Sequence, residues 1–390
     1  MIRLSENARY IIDVLKKAGY HVSVVGGTVR DAFLGRHSDD CDITTDALPT
    51  TVRSLFEKTI DTGIKHGTVT VMIDSVPYEV TTYRVDGEYL DSRHPENVSF
   101  TDNIELDLAR RDFTVNAMAY NPYDGLIDVF GGREDLDARI IRAVGDPYQR
   151  FTEDALRILR ALRFSSVLDF DIEPNTAAAL RALASGLAFV SRERILVEWR
   201  KLLSGARAYE IIKEYFDIIS FVIPELSESS LPPRDAFLPL TATERELLLF
   251  ACAGGASGFR SCAASLKMDN KTRDKGVCVL NNLICTDSVD DAFIKEYLIG
   301  IGDDEALLAA RISEALGKSP FGTEAKIRSA IDNGAIRNLS MLKINGNDLR
   351  TIGLRGEAIG DTLESLLRAA ALGECPNERE ALIDLAKKIN

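Results

Sequence analysis

The chain has 390 residues, 45% of them apolar and 27% charged, with 60 acidic against 47 basic side chains and a formal net charge of −13. That composition excludes a disordered or low-complexity chain, and the acidic balance excludes a simple DNA-coating protein. No apolar run approaches the roughly 18 residues that a spanning helix needs, and Met1 to Tyr20 carries charges where a signal peptide is apolar, so a cytoplasmic protein without membrane or DNA partners is expected.

In chain order, Ala8, Ile11, Ile12 and Leu15 share one helical face, which Gly19 should terminate. Val22, Val24 and Val25 then give a β-branched strand leading into Gly26-Gly27, followed by a short helix from Thr28 to Leu34. Two β-rich runs, Thr68 to Ile73 and Val76 to Tyr83, flank Asp74-Ser75 and predict an antiparallel hairpin. After about Gly145 the pattern becomes helical, with amphipathic stretches at Glu153 to Val167, Thr176 to Leu187 and Arg192 to Leu203. Possible joints lie near Gly205, Pro232-Pro233 and Ser319-Pro320, and there is no internal repeat.

Six cysteines form no CxxC pair, and none of the four histidines is followed by Asp, so neither a zinc site, a disulfide framework nor a His-Asp hydrolase centre is indicated. Any metal here is held by oxygen.

The stretch from Val24 to Pro49 carries the first chemistry. Gly26-Gly27 lets backbone N–H groups approach an anion at the start of a helix, and Arg30 adds a charged donor one turn in; a tight structural turn is the competing reading. Asp40 and Asp42 bracket Cys41 just before Ile43, where a strand's period of two puts both carboxylates on one face. Such a pair persists on a solvated edge or around a hard divalent cation such as Mg²⁺. Glu79, on the second hairpin strand, offers a third carboxylate or else a partly exposed strand charge.

The strings GGTVRDAFLG, DDCDITT, RRDFTVNAMAYNP and EDALRILRALRF, with SRERILVEW at Ser191 to Trp199 and LKINGNDL at Leu342 to Leu349, resemble the class II tRNA nucleotidyltransferases, the CCA-adding enzymes of bacteria. No such string falls between about Asp235 and Ser340. The resemblance implies an α+β chain: a polymerase-β-like nucleotidyltransferase head (1–145), then an all-α neck (146–205), body (206–320) and tail (321–390) that hold tRNA. It makes Asp40 and Asp42 ligands of Mg²⁺, to which the strand reading adds Glu79 as the third catalytic carboxylate; it makes Gly27 and Arg30 nucleotide contacts, beside Gly26 of the same pair, and sets Arg111, Asp112 and Asn116 around the sugar and phosphates. Without the family, Arg110-Arg111-Asp112 reads as a local salt bridge holding a turn.

The helix beginning at Glu153 also has a physical reading. Asp154 and Arg157 are three residues apart, hence neighbours on one helical surface, presenting an acceptor beside donors. Cytosine and adenine each show an amino donor next to a ring-nitrogen acceptor, whereas uracil and guanine invert the two. The pair therefore accepts C and A and rejects U and G. Arg160 and Arg163 continue the series, suited to phosphates or to supporting that pair; an exposed salt-bridged helix is the plain structural alternative.

The expected reaction is addition of C, C and A to the 3′ end of tRNA from CTP and ATP, by a two-metal mechanism. The polar stretch from Val85 to Phe100 reads as a mobile loop; in the family it resembles, enzymes that add only the two cytidines tend to have this loop shortened, so its length here implies complete CCA addition. A-adding enzymes and poly(A) polymerases are the alternatives, the latter disfavoured by Ala155 where they carry proline.

Overall fold

The computed structural model describes residues 2, 4–36, 41–87 and 98–389. Backbone contacts divide the chain into two compact units, Met1–Val222 and Ile223–Asn390.

The first unit opens with α1 (Glu6–Lys17). The Ser5 side chain accepts from the Ala8 N–H, Lys16 and Lys17 occupy the last turn, and the buried stripe is Ala8, Ile11, Ile12 and Leu15, as the spacing predicts. Then follow β1 (Val22–Val25), α2 (Gly27–Phe33), β2 (Ile43–Thr45), α3 (Pro49–Leu55), β3 (Thr59–Gly63), β4 (Thr68–Ile73) and β5 (Val76–Thr82). Next come β6 (Arg84–Asp86), β7 (Val98–Phe100), α4 (Ile104–Ala109), β8 (Ala119–Asn121), β9 (Gly125–Ile127), α5 (Gly132–Ala138) and β10 (Ile140–Ile141).

Seven strands form a mixed sheet in the order β3-β4-β5-β2-β1-β8-β9. Its buried face carries Val24, Ile43, Val69, Val71 and Val80, each at most 1% exposed. The β4–β5 hairpin is the predicted one, and Asp74 and Ser75 at its turn have φ of 51° and 66°, the left-handed pair that a two-residue turn between twisted strands requires. The expected loop from Val85 to Phe100 is closed at its base by pairing of β6 with β7. Its remaining residues, 88–97, lie outside the described ones, as does Asp40.

The rest of this unit is helical: α6 (Pro147–Glu153), α7 (Leu156–Leu168), α8 (Pro174–Leu183), α9 (Arg192–Leu203), α10 (Ala208–Glu214) and α11 (Phe216–Val222). One short strand interrupts it, Asp171–Ile172 (β11), which pairs in parallel with β10. α9 matches its predicted span. α8 starts two residues early, because Pro174 fits the first turn and the Glu173 carboxylate accepts from the Thr176 N–H. Gly205 is a packing glycine inside this unit: a Cβ there would fall 2.1 Å from Ser166 Oγ and 2.4 Å from the Ser166 carbonyl oxygen.

The second unit is helical among its described residues, and its buried apolar residues include two clusters. One gathers Ile284, Ile294, Leu298, Ala306, Ala310 and Ile327; the other gathers Leu342, Ile344, Leu349, Leu366, Leu382 and Ala386. Arg311 joins two of its helices, donating to Glu244 at 2.5 Å and to Glu324 at 2.6 and 2.9 Å. No described helix is long and apolar enough to cross a membrane.

Candidate active site

Gly26 is the hub. It sits where β1 ends and α2 begins, with φ 67° and ψ −130°, a conformation open only to glycine. Its N–H donates to the Met118 carbonyl at 3.2 Å, so of the Gly-Gly pair Gly26 supplies shape rather than a free amide. The first-turn amides of α2, starting at Gly27, have no acceptor within the helix.

Two charged groups converge on that glycine. A Cβ placed there would meet Arg111 Nη1 at 3.0 Å and lie 4.0 Å from Asp42 Oδ2. Asp42 precedes β2, its carbonyl accepts from the Val25 N–H at 3.0 Å and its N–H donates to Thr28 Oγ1 at 3.4 Å. These bonds tie the carboxylate's backbone to β1 and α2 together. The parallel register that pairs Ile43 with Val80 puts Asp42 level with Glu79 on the neighbouring strand, both side chains exposed while Ile43 and Val80 are buried. Of the three expected carboxylates, Asp42 and Glu79 are thus on one sheet face, and Asp40 is outside the described residues. Among those residues no cluster of three or more His, Cys, Asp or Glu is assembled. The donors present are all oxygen and solvent-facing, which fits a hard divalent cation. The Cys41 thiol is pushed up to about 12, by burial first and by the Asp42 charge second, and so stays a thiol at neutral pH.

Arg111 is held from behind by Asp107, a residue the sequence reading passed over. Asp107 is fully buried; Arg110 donates to its Oδ1 at 2.7 and 2.9 Å and Arg111 to its Oδ2 at 3.4 Å. Burial disfavours the charged carboxylate, but the Arg110 and Arg111 charges outweigh it and hold its pKa below the ordinary value. Burial in turn presses Arg111 down, Asp107 partly restoring it. The local-salt-bridge reading of Arg110 and Arg111 is therefore realised, through a partner three and four residues upstream that helical spacing could have found.

Asp112 and Asn116 begin a chain of bonds leading away from the glycines. Arg30 is 8% exposed, its Nη1 donates to Asn116 Oδ1 at 2.5 Å, and its Nε and Nη2 each donate to Asp31 at 2.9 Å. Asn116 Nδ2 donates to Asp112 Oδ1 at 3.0 Å, and Asp112 Oδ2 accepts from Arg160 Nε at 2.8 Å and Nη2 at 2.5 Å. Arg163 forms an ion pair with the buried Glu198 of α9 at 3.0 Å. Thus Arg160 engages Asp112, with Glu198 3.8 Å from its Nη1, and Arg163 engages Glu198.

That pair also differs from the sequence expectation. The helix does not run continuously from Glu153: α6 ends there, Asp154 is extended at φ −142° and ψ 101°, and α7 starts at Leu156. The Asp154 carboxylate accepts from the Leu156 N–H at 3.0 Å, the capping role that aspartate takes in preference to a helix interior. Its other oxygen takes Arg194 of α9 at 2.8 Å. Arg157 instead bonds Glu153 at 2.9 Å and the carbonyls of Arg150 and Arg110 at 3.1 and 2.8 Å. Acceptor and donor are each braced separately rather than by one another.

A mixed sheet whose glycine turn gathers an arginine and a carboxylate defines, with the helical segments after it, a nucleotidyltransferase head carried on α-helical domains. Residues 22–142 match the family model "Poly A polymerase head domain", 169–229 match "Probable RNA and SrmB-binding site of polymerase A", and 240–386 match a tRNA nucleotidyltransferase domain 2 model, which fills the stretch where no motif could be quoted. The CCA-adding enzyme of Geobacillus stearothermophilus is 39% identical over 97% of this chain and 95% of its own length; that of Ligilactobacillus salivarius is 34% identical over the same shares. The crystal structure of the Bacillus stearothermophilus CCA-adding enzyme in complex with CTP superposes with a TM-score of 0.81 at 34% identity, covering 98% of this chain and 96% of that one. The Thermotoga maritima CCA-adding enzyme complexed with tRNA shares the fold, at TM-score 0.70 and 22% identity over 100% and 97%. The chain belongs to the family of bacterial class II CCA-adding enzymes.

Proposed function

We propose that this chain adds C, C and A, without a template, to the 3′ end of tRNA, consuming CTP and ATP and releasing pyrophosphate in the cytoplasm. The observation that carries the reading is the meeting of Arg111 and Asp42 at Gly26, with Glu79 in register beside Asp42. Full-length similarity to enzymes named for this activity supports it.

The RNA 3′-hydroxyl attacks the α-phosphate in line; the new O3′–P bond forms as the bond to the β-phosphate's bridging oxygen breaks. Asp42 and Glu79, together with Asp40, would hold Mg²⁺, which when bound lowers the pKa of the attacking hydroxyl and neutralises charge on the leaving pyrophosphate. Gly26 and Gly27 let the triphosphate approach the backbone, and Arg111 offers a guanidinium fixed from behind by Asp107. Asp112, Asn116 and Arg30 set the wall around sugar and phosphates.

Asp154 and Arg157 read the base edge, the carboxylate accepting the amino N–H of cytosine or adenine and the guanidinium donating to the adjacent ring nitrogen. Arg194 and Glu153 hold those groups still, which makes the wrong base costly because it leaves them unpaired. Arg160 and Arg163 fix this segment to the head and to α9. In this reading residues 1–145 form the catalytic head, 146–205 the base-reading neck, and 206–320 and 321–390 the body and tail that hold tRNA.

The test supplies labelled CTP, ATP, UTP or GTP, one at a time, with tRNAs ending before the first C, after C and after CC. The reading requires C on the first two ends, A on the third, and neither U nor G. Addition of A alone, of C alone, or of homopolymeric A would assign instead A-adding, CC-adding or poly(A) polymerase activity.

A further inference from the structure

One aromatic ring stands at the meeting point of three guanidinium groups. Phe164 of α7, 8% exposed, has Arg163 Cζ 3.8 Å from its ring centroid, Arg30 Cζ at 5.1 Å and Arg160 Cζ at 5.4 Å. Its ring meets Phe113 edge-on, centroids 5.8 Å apart and planes at 79°, which fixes the plane it offers the cations. The arginines have carboxylate partners, Asp31 for Arg30, Asp112 for Arg160 and Glu198 for Arg163, with Glu198 also 3.8 Å from Arg160. Three like charges still crowd one spot: burial, with Arg160 and Arg30 reinforcing it, lowers Arg163 to about 10.

The ring also closes a circuit. Arg30 bonds Asn116, Asn116 bonds Asp112, Asp112 bonds Arg160, and Arg160 and Arg30 both face Phe164. Arg30 belongs to the helix that follows the glycines; Arg160 belongs to the helix that carries Arg157. A leucine would fill much of the same volume but has no electron-rich face with which to hold cations in a low-dielectric setting.

Resting on the nucleotidyltransferase reading above, we propose that Phe164 is a positioning residue: its π face holds Arg30, Arg160 and Arg163 together, and so sets the triphosphate-side helix and the base-reading helix at a fixed separation that fits one nucleoside triphosphate.

The test replaces Phe164 in the full chain with mono-, di- and trifluorinated phenylalanines, which drain the ring face with little change of shape, and adds Phe164→Leu and Phe164→Tyr. Phe170→Leu is the packing control; Phe170 is also buried, at 1% exposed, and enters no cation–π contact among the described residues. KM and kcat are measured with CTP and with ATP, beside a thermal melt. Expected is a stepwise rise in KM for both nucleotides with fluorination, reaching roughly tenfold for the trifluorinated ring and for Leu, with Tyr near wild type and Phe170→Leu altering only the melt. KM unmoved across the fluorinated series overturns the proposal, even if Phe164→Leu fails to fold. A wild-type chain that adds no nucleotide overturns the assigned reaction and the proposal with it, whereas an active wild type with a flat series overturns the positioning role alone.

Discussion

Asp112 and Arg160 lie 48 residues apart in the sequence and share a two-pronged ion pair, Nε and Nη2 reaching one carboxylate oxygen at 2.8 and 2.5 Å. The pair pins α7 to the segment following α4, and with it the proposed base reader to the sheet-bearing part of the same unit. Burial works against the Asp112 charge, but Arg160 and the Asn116 amide outweigh it and bring the carboxyl to about 2, from 3.8. A carboxyl lowered by folding contributes stability that is present above its unfolded pKa and lost as pH falls through the folded one. Chemical denaturation should therefore show about 2 kcal/mol of wild-type stability disappearing between pH 4 and pH 2 from this group, and Asp112→Asn should lack that component.

Asp42→Ala and Glu79→Ala each remove an exposed carboxylate, so the melt should hardly change. Incorporation of labelled CTP should fall by roughly 10³-fold or more in both. Activity within tenfold of wild type in either variant would remove that residue from the catalytic set.

Gly26→Ala places a methyl group 3.0 Å from Arg111 Nη1 on a backbone that L-residues avoid. A stability loss of about 1–3 kcal/mol is expected in urea, with a larger proportional loss of incorporation because the guanidinium is displaced. Wild-type kinetics in this variant would show that the site tolerates movement of Arg111.

Asp107→Asn leaves Arg110 and Arg111 facing a neutral, fully buried group. Removing one partner from such a cluster costs on the order of 3 kcal/mol, read as a lower urea midpoint, and should raise KM for both nucleotides by freeing Arg111. Equal affinity in the variant would mean that Arg111 needs no backing.

Arg157→Ala deletes the donor half of the proposed base reader. The ratio of CTP to UTP incorporation should drop by roughly tenfold or more, and the Mg²⁺ dependence should stay as in wild type. An unaltered ratio would assign base choice to other residues.

Local pattern was enough for α1, for the hairpin and for α9, since each is specified by a periodic apolar face or by its turn residues. It was enough, too, to place Gly26 at a strand-to-helix turn and Asp42 and Glu79 at exposed positions beside and on strands, because turn glycine and a period of two are both local signals. The break at Asp154 was not legible: Glu153-Asp154-Ala155-Leu156 contains no proline or glycine, and aspartate's preference for a cap over an interior is a weak signal against a long amphipathic run. The pairing partners were hidden for a different reason. Arg194 for Asp154 and Glu198 for Arg163 come from a helix 35 to 40 residues further on, and nothing in a single sequence says which carboxylate a given arginine will meet.

What the sequence by itself determined here is chemical inventory and local conformation, since propensity, capping and apolar period act over a few residues and are written in order along the chain. What only the tertiary structure decided is long-range partnership: that Asp112 meets Arg160, that Asp154 and Arg157 are braced apart rather than together, and that Phe164 gathers three arginines. Those outcomes depend on burial, where removing water makes an unpaired charge costly and forces each ionised group to find its counterpart wherever the fold brings one within reach.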